Sequence, residues 1–206
     1  VHDLYDEGDT LLNIYNECVK AGSPDLPIIF TSTSKITFPG AGVAVEAASP
    51  NNVALLKGRM KYQTIGPDKL NQLRHARMFR TVSDIERHMK RHAAILRPKF
   101  ETVEKELQKQ LGDTGVARWT TPKGGYFISL YVLEGCAKRV EQLCANAGMI
   151  LTPAGATYPY GTDPKDSNIR IAPSYPSVEE IEKASEVLAL AVRYAALEKL
   201  LSDKEN

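Results

Sequence analysis

Lys35 follows four hydroxyl residues in a row, Thr31, Ser32, Thr33 and Ser34, and precedes the turn Phe38-Pro39-Gly40-Ala41-Gly42. Burial disfavours a lysine's charged form, and the neutral amine is a nucleophile toward a carbonyl. Hydroxyls, together with backbone N–H groups freed by glycine, suit a phosphate. A second residue able to do chemistry is Arg170, in Asn168-Ile169-Arg170-Ile171-Ala172-Pro173. Its planar fork can hold a carboxylate through two charge-assisted hydrogen bonds. The plain alternatives are a surface-loop lysine and an edge-strand arginine in solvent. His88 and His92 stand one helical turn apart and could ligate zinc, but no third ligand is near, so they read as solvated helix positions.

These residues need elements to position them. Ile28 to Phe30 reads as a short buried strand leading to Lys35, and residues 43–48 resume a strand-like apolar run. Residues 10–20 predict a short helix stopped by Gly22, and Asn51-Asn52 a cap for the helix that follows. Residues 68–79 predict a helix with basic residues on a solvated face. Ser83 and Glu86 form a capping box for a helix running to about Leu111, with Pro98 inside it as an expected kink. Gly124-Gly125 predicts a strand–turn–strand, residues 137–147 a helix, and residues 149–152 a strand. Ile169 and Ile171 point one way on a last strand and Arg170 the other. Ser177 and Glu180 box a final helix whose buried face carries Ile181, Leu188, Ala195 and Leu201. Residues 1–8 and 158–167 read as polar loops.

The 206 residues carry a net charge of +1, which gives no electrostatic footprint for nucleic acid or an anionic membrane. No apolar run approaches the ~20 residues of a membrane span. Cys18, Cys136 and Cys144 are scattered, with neither metal-ligand nor disulfide spacing, which points to a reducing cytoplasm. The first residue, Val1, suggests a fragment.

Ser34-Lys35 before Phe38-Pro39-Gly40 resembles the lysine loop of fold-type I pyridoxal-phosphate aminotransferases. The string from Ile65-Gly66-Pro67-Asp68 to Leu73-Arg74 resembles their aspartate aminotransferase-like branch, which is related to regulator-type aminotransferase domains. Gly124-Gly125-Tyr126-Phe127 is similar to the segment edging the family's substrate pocket, and the strand bearing Arg170 to its terminal arginine motif. The resemblance implies an α/β chain: the C-terminal part of a fold-type I large domain (1–82), then a small α+β domain (83–206). It implies pyridoxal 5'-phosphate as cofactor, with Lys35 as the Schiff-base lysine and Arg170 on the substrate α-carboxylate. Amino acid and 2-oxo acid substrates and a homodimer with shared active sites are implied as well. Two departures stand out. Gly42 holds the place of an arginine that pairs with the cofactor phosphate, leaving Ser32 and Ser34, then Thr33 and Thr37, as the chain's phosphate candidates. The aspartate on the pyridine nitrogen would precede Val1. Arg59, with Lys61 beside it, could meet a distal carboxylate across the dimer, which predicts an aspartate or glutamate donor; the plain alternative, favoured for either residue taken singly, is a solvated helix end. A ligand-sensing regulator domain and a non-enzymatic interaction domain remain the rival readings.

Overall fold

The computed structural model describes residues 4–5 and 11–205. The chain forms two compact units: residues 11–92 make up the first, and residues 93–205 with Leu4 and Tyr5 the second.

In the first unit, α1 (Ile14–Lys20) starts later than expected because Asn13 is its cap, accepting from the N–H groups of Tyr15 and Asn16. β1 (Ile29–Ser32) and β2 (Ala44–Ala47) pair antiparallel, with Phe30 opposite Glu46 and Ser32 opposite Ala44. α2 (Pro50–Met60) is capped by Ser49 with Pro50 at its first position, two residues before the Asn51-Asn52 pair expected to cap it. α3 (Lys69–Met78) is capped by Asp68. α4 (Val82–Leu111) opens with a capping box two residues earlier than Ser83 and Glu86. The Thr81 hydroxyl accepts the Asp84 N–H at 3.3 Å, and the Asp84 carboxylate accepts the Thr81 N–H at 3.0 Å. Ser83 and Glu86 are both exposed.

The strand expected to be buried is open: Phe30 is 72% exposed, and Lys35 is exposed as well. Among the described residues, β1 and β2 form a two-stranded ribbon with no third strand, so one ladder cannot enclose its own faces. The buried side chains of this unit are Ser49, Asn71 and His75, all of them polar.

The second unit has an apolar core. α4 continues through Pro98 and buries Phe100, Val103, Leu107 and Leu111 at helical spacing. β3 (Ala117–Trp119), β4 (Ile128–Val132) and β5 (Asn168–Ile171) form an antiparallel sheet in that order. β4 alternates buried Ile128, Leu130 and Val132 with half-buried Ser129 and Tyr131. α5 (Ala137–Asn146) and α6 (Val178–Glu205) are tied by Arg139, which donates to both carboxylate oxygens of Glu198 at 2.7 and 2.8 Å. The box opening α6 matches expectation, with the Ser177 N–H on Glu180 at 2.8 Å and the Glu180 N–H on the Ser177 hydroxyl at 3.2 Å. Leu201, expected on the buried face, is 61% exposed. Residues 149–152 form no strand, because no ladder partner reaches them. Leu4, inside a predicted polar loop, is fully buried: its N–H donates to Lys123 O at 2.7 Å and its carbonyl accepts from Arg97. The three cysteines are unpaired. No helix among the described residues is long and apolar enough to cross a membrane.

The loop before β5 is fastened by Asp163. Its carboxylate accepts the N–H groups of Ser167 (2.8 Å), Asn168 (2.9 Å) and Lys165 (2.9 Å). Burial alone would raise this carboxyl, but the backbone donors outweigh it and hold the pKa below the usual range. With the folded-state value the lower one, the stabilisation is complete above the ordinary carboxylate pKa. It is lost as pH falls through the folded value. Asp163→Asn puts a donor where an acceptor stood and should cost about 1–3 kcal/mol in urea unfolding of the full-length protein. The penalty should shrink in acid, whereas an unchanged midpoint at neutral pH would show that the backbone holds the loop unaided.

Candidate functional site

Lys35 sits in a single helical turn between β1 and β2. The N–H groups of Ile36 and Thr37 both donate to the Thr33 carbonyl, at 2.9 and 2.8 Å. The Thr33 N–H bonds the Val43 carbonyl at 2.9 Å, and the Val43 N–H returns to the Thr33 hydroxyl at 2.9 Å. The Ser32 hydroxyl donates to that of Ser34 at 3.2 Å, so both phosphate candidates stand together on the lysine's N-terminal side. Thr33 and Thr37 do not join them, since their hydroxyls turn inward to His75.

Gly42 explains the absent arginine. A Cβ there would lie 2.7 Å from Ser34 Oγ, 3.0 Å from Ser34 N and 3.2 Å from Ser34 Cα. The Ser34 hydroxyl would have to turn away and its backbone give by a few tenths of an ångström, so a side chain at this position crowds the residue that precedes Lys35. The close approach is held from below by Asn71, whose Nδ2 donates to the Gly42 carbonyl at 3.0 Å.

His88 is no solvated helix position. Half-buried, it donates from Nε2 to the Ile36 carbonyl at 2.7 Å, and its ring lies tilted against those of Phe79 and His92, with centroids 5.4 and 4.6 Å away. That donation engages one of the two ring nitrogens able to bind a metal, and no cluster of three metal-ligating side chains occurs among the described residues. Burial and the neighbouring His88 hold the His92 pKa below its ordinary value.

In the second unit, Arg170 pairs with Ser129 across β4 and β5, on the face opposite buried Ile169 and Ile171. Its Cζ lies 4.5 Å from the Phe127 ring centroid. Stacking uses the face of the guanidinium and leaves its edge for hydrogen bonds. Its Nε is buried and has no acceptor among the described residues. Arg170 is also one of the residues lining a cleft of about 190 Å³, together with Val103, Met149, Leu151, Ala172, Ile181 and Leu188. The strand is held in register by Asn168, whose amide donates to Ser129 Oγ at 2.8 Å and accepts from Thr157 Oγ1 at 2.7 Å. A buried guanidinium donor without an acceptor is costly, and a carboxylate would satisfy it.

Arg59 lies exposed near the end of α2, and Lys61 lies over the Tyr62 ring at 4.9 Å. His75 and Asn71 were missed in the sequence. Their spacing on α3 puts both on one face, yet nothing there marks that face as the inward one among so many polar residues.

The model of the family described as "Aspartate amino-transferase" matches residues 1–204. The chain belongs to the aspartate amino-transferase family. A Corynebacterium glutamicum aspartate aminotransferase is 46% identical over 198 residues, covering 96% of this chain and 46% of its own. The crystal structure of an aspartate transaminase from that organism superposes with a TM-score of 0.92 at 46% identity, over 97% of this chain and 47% of that one. An α-aminoadipate aminotransferase of Thermus thermophilus, solved with N-(5'-phosphopyridoxyl)-L-leucine, shares the fold at 21% identity and a TM-score of 0.76. The α/β fold is thus that of fold-type I aminotransferases, and the chain spans about half the length of the relatives it matches.

Proposed function

We propose that the full-length protein is a pyridoxal-phosphate-dependent aminotransferase that moves an amino group from aspartate or glutamate to a 2-oxo acid. The observation that carries this reading is the hydroxyl-lined turn presenting Lys35, in a chain of this family. The residues present fit the cofactor: Ser32 and Ser34 offer phosphate donors, and the bare backbone at Gly42 permits the tight turn beside them. Bound there, pyridoxal phosphate would supply an electron sink for the substrate Cα. Lys35 Nζ would hold the group covalently, and once displaced by the substrate amine would take the Cα proton as general base. Arg170 would orient the α-carboxylate and so fix which Cα bond faces the base. Residues 1–82 would close the cofactor domain, and residues 83–206 would form the small domain.

The donor preference rests on Arg59 of the partner subunit in a homodimer. A dicarboxylic donor needs a cation for its distal carboxylate, since an unpaired carboxylate removed from water is costly. The test is a donor panel on the full-length protein, wild type against Arg59→Ala. Aspartate and glutamate should lose kcat/KM by on the order of 30-fold with alanine spared, the low end for truncating one partner of a desolvated charge pair. Equal loss for all three donors, or none, would remove the dicarboxylate assignment.

A further inference from the structure

Two of the three side chains that the first unit buries, Asn71 and His75, lie directly against the lysine turn. Buried polar groups are normally hydrogen-bonded, and the partners of these two lie in the lysine turn and on α3 itself. His75 Nδ1 faces the Asn71 carbonyl at 2.8 Å. That oxygen only accepts, so Nδ1 carries the hydrogen, and in the neutral ring Nε2 is the acceptor. Two hydroxyls converge on it, Thr33 Oγ1 at 3.0 Å and Thr37 Oγ1 at 2.7 Å. Thr33 Oγ1 already accepts the Val43 N–H, which leaves its own hydrogen for the ring. Thr37 has a second outlet in the Thr33 carbonyl at 3.1 Å. From another side, His88 Nε2 donates to the Ile36 carbonyl at 2.7 Å. The anchored residues thus flank Lys35 on both sides of its place in the chain, and one of them is its neighbour. Phe38 closes the arrangement, its ring edge-on to His75 with centroids 6.0 Å apart.

We propose that His75, seconded by His88, is a positioning residue for Lys35. Through the two threonine hydroxyls it sets the pose of the turn, and so the line along which Nζ reaches its target. The proposal deepens the reading of Lys35 as the covalent and proton-transferring residue and rests on it. A displacement of about 1 Å in a reacting group can cost on the order of 100-fold in rate, so a loose turn is expensive to catalysis even where it is cheap to stability.

The test uses the full-length protein with His75→Phe, which keeps a ring against Phe38 and removes both nitrogens. The turnover number should fall roughly 10- to 100-fold while KM for the amino donor stays within about twofold. Amide exchange at Ile36, Thr37 and Val43, measured without cofactor, should accelerate in the same variant. The double variant Thr33→Val with Thr37→Val removes the same bonds from the turn's side and should reproduce the loss of turnover. Thr33→Ser with Thr37→Ser keeps both hydroxyls and should restore it. If His75→Phe does not fold, the two threonine pairs carry the test. Wild-type turnover in His75→Phe, or valine and serine pairs that behave alike, would overturn the proposal. Borohydride trapping on Lys35→Ala separates the two claims: an adduct that survives on another lysine defeats the reading of Lys35. In that case the exchange data still decide whether His75 holds the turn.

Discussion

Replacing Lys35 with alanine in the full-length protein should abolish the borohydride-reducible cofactor adduct and lower transamination by roughly 100- to 10,000-fold, the scale of losing a general base. The expectation comes from how the turn is made. The Thr33 carbonyl takes both the Ile36 and Thr37 N–H groups, which closes one tight turn with the lysine inside it. Ser34 lies close enough to Gly42 that a Cβ there would crowd it, so the residue before the lysine packs directly on the chain leading into β2. A surface-loop lysine would need none of this: two histidines, an asparagine amide and two threonine hydroxyls all converge on the segment that bears it. Other lysines of this unit, such as Lys57 in α2 and Lys61 at its C-cap, belong to a helix end rather than to a hydroxyl-lined turn. Mass spectrometry of the reduced, digested protein decides the matter. An adduct persisting in Lys35→Ala and mapping to one of those helical lysines would transfer the role away from the turn.

What the sequence made legible is what local physics decides. Helix periodicity marked Phe100, Val103 and Leu107 on α4 and Ile181 and Leu188 on α6, and all five are buried. Strand alternation put Ile169 and Ile171 inside and Arg170 on the other face, because successive side chains must point to opposite sides. The box at Ser177 and Glu180 formed as written, whereas Ser83 and Glu86 lost to Thr81 and Asp84, an equally good pair two residues upstream. Composition cannot rank two boxes that overlap. Burial of β1 was out of reach for a different reason: Ile28 to Phe30 is apolar enough for an interior strand, but burial depends on what packs across it. Leu4 shows the converse, an apolar residue in a polar stretch that is buried through contacts far along the chain at Arg97 and Lys123. The site divides along the same line. Lys35 and Arg170 stand out by residue type and local pattern, while His75 is recognisable only once α3 is seen beneath the turn.

Substituting Arg170 with lysine should lower kcat/KM toward amino acids by roughly 2–4 kcal/mol, within the range for disrupting a desolvated, hydrogen-bonded charge pair. Lysine keeps the positive charge, so a role confined to long-range attraction would survive the change. The geometry assigns more than charge. The guanidinium carbon lies over the Phe127 ring, 4.5 Å from its centroid, and its buried Nε has no acceptor among the described residues. A planar fork held by a ring and missing an acceptor matches a carboxylate presented edge-on; an ammonium can reproduce neither the plane nor the second donor. The discriminating comparison sets amino acids against the corresponding amines, which lack the α-carboxylate. Arg170→Lys should be slow toward amino acids and nearly unchanged toward amines, with cofactor absorbance intact in both. A uniform loss across both substrate classes would make Arg170 a structural residue of the β4–β5 pair, and unchanged kinetics would leave its buried Nε–H without a function.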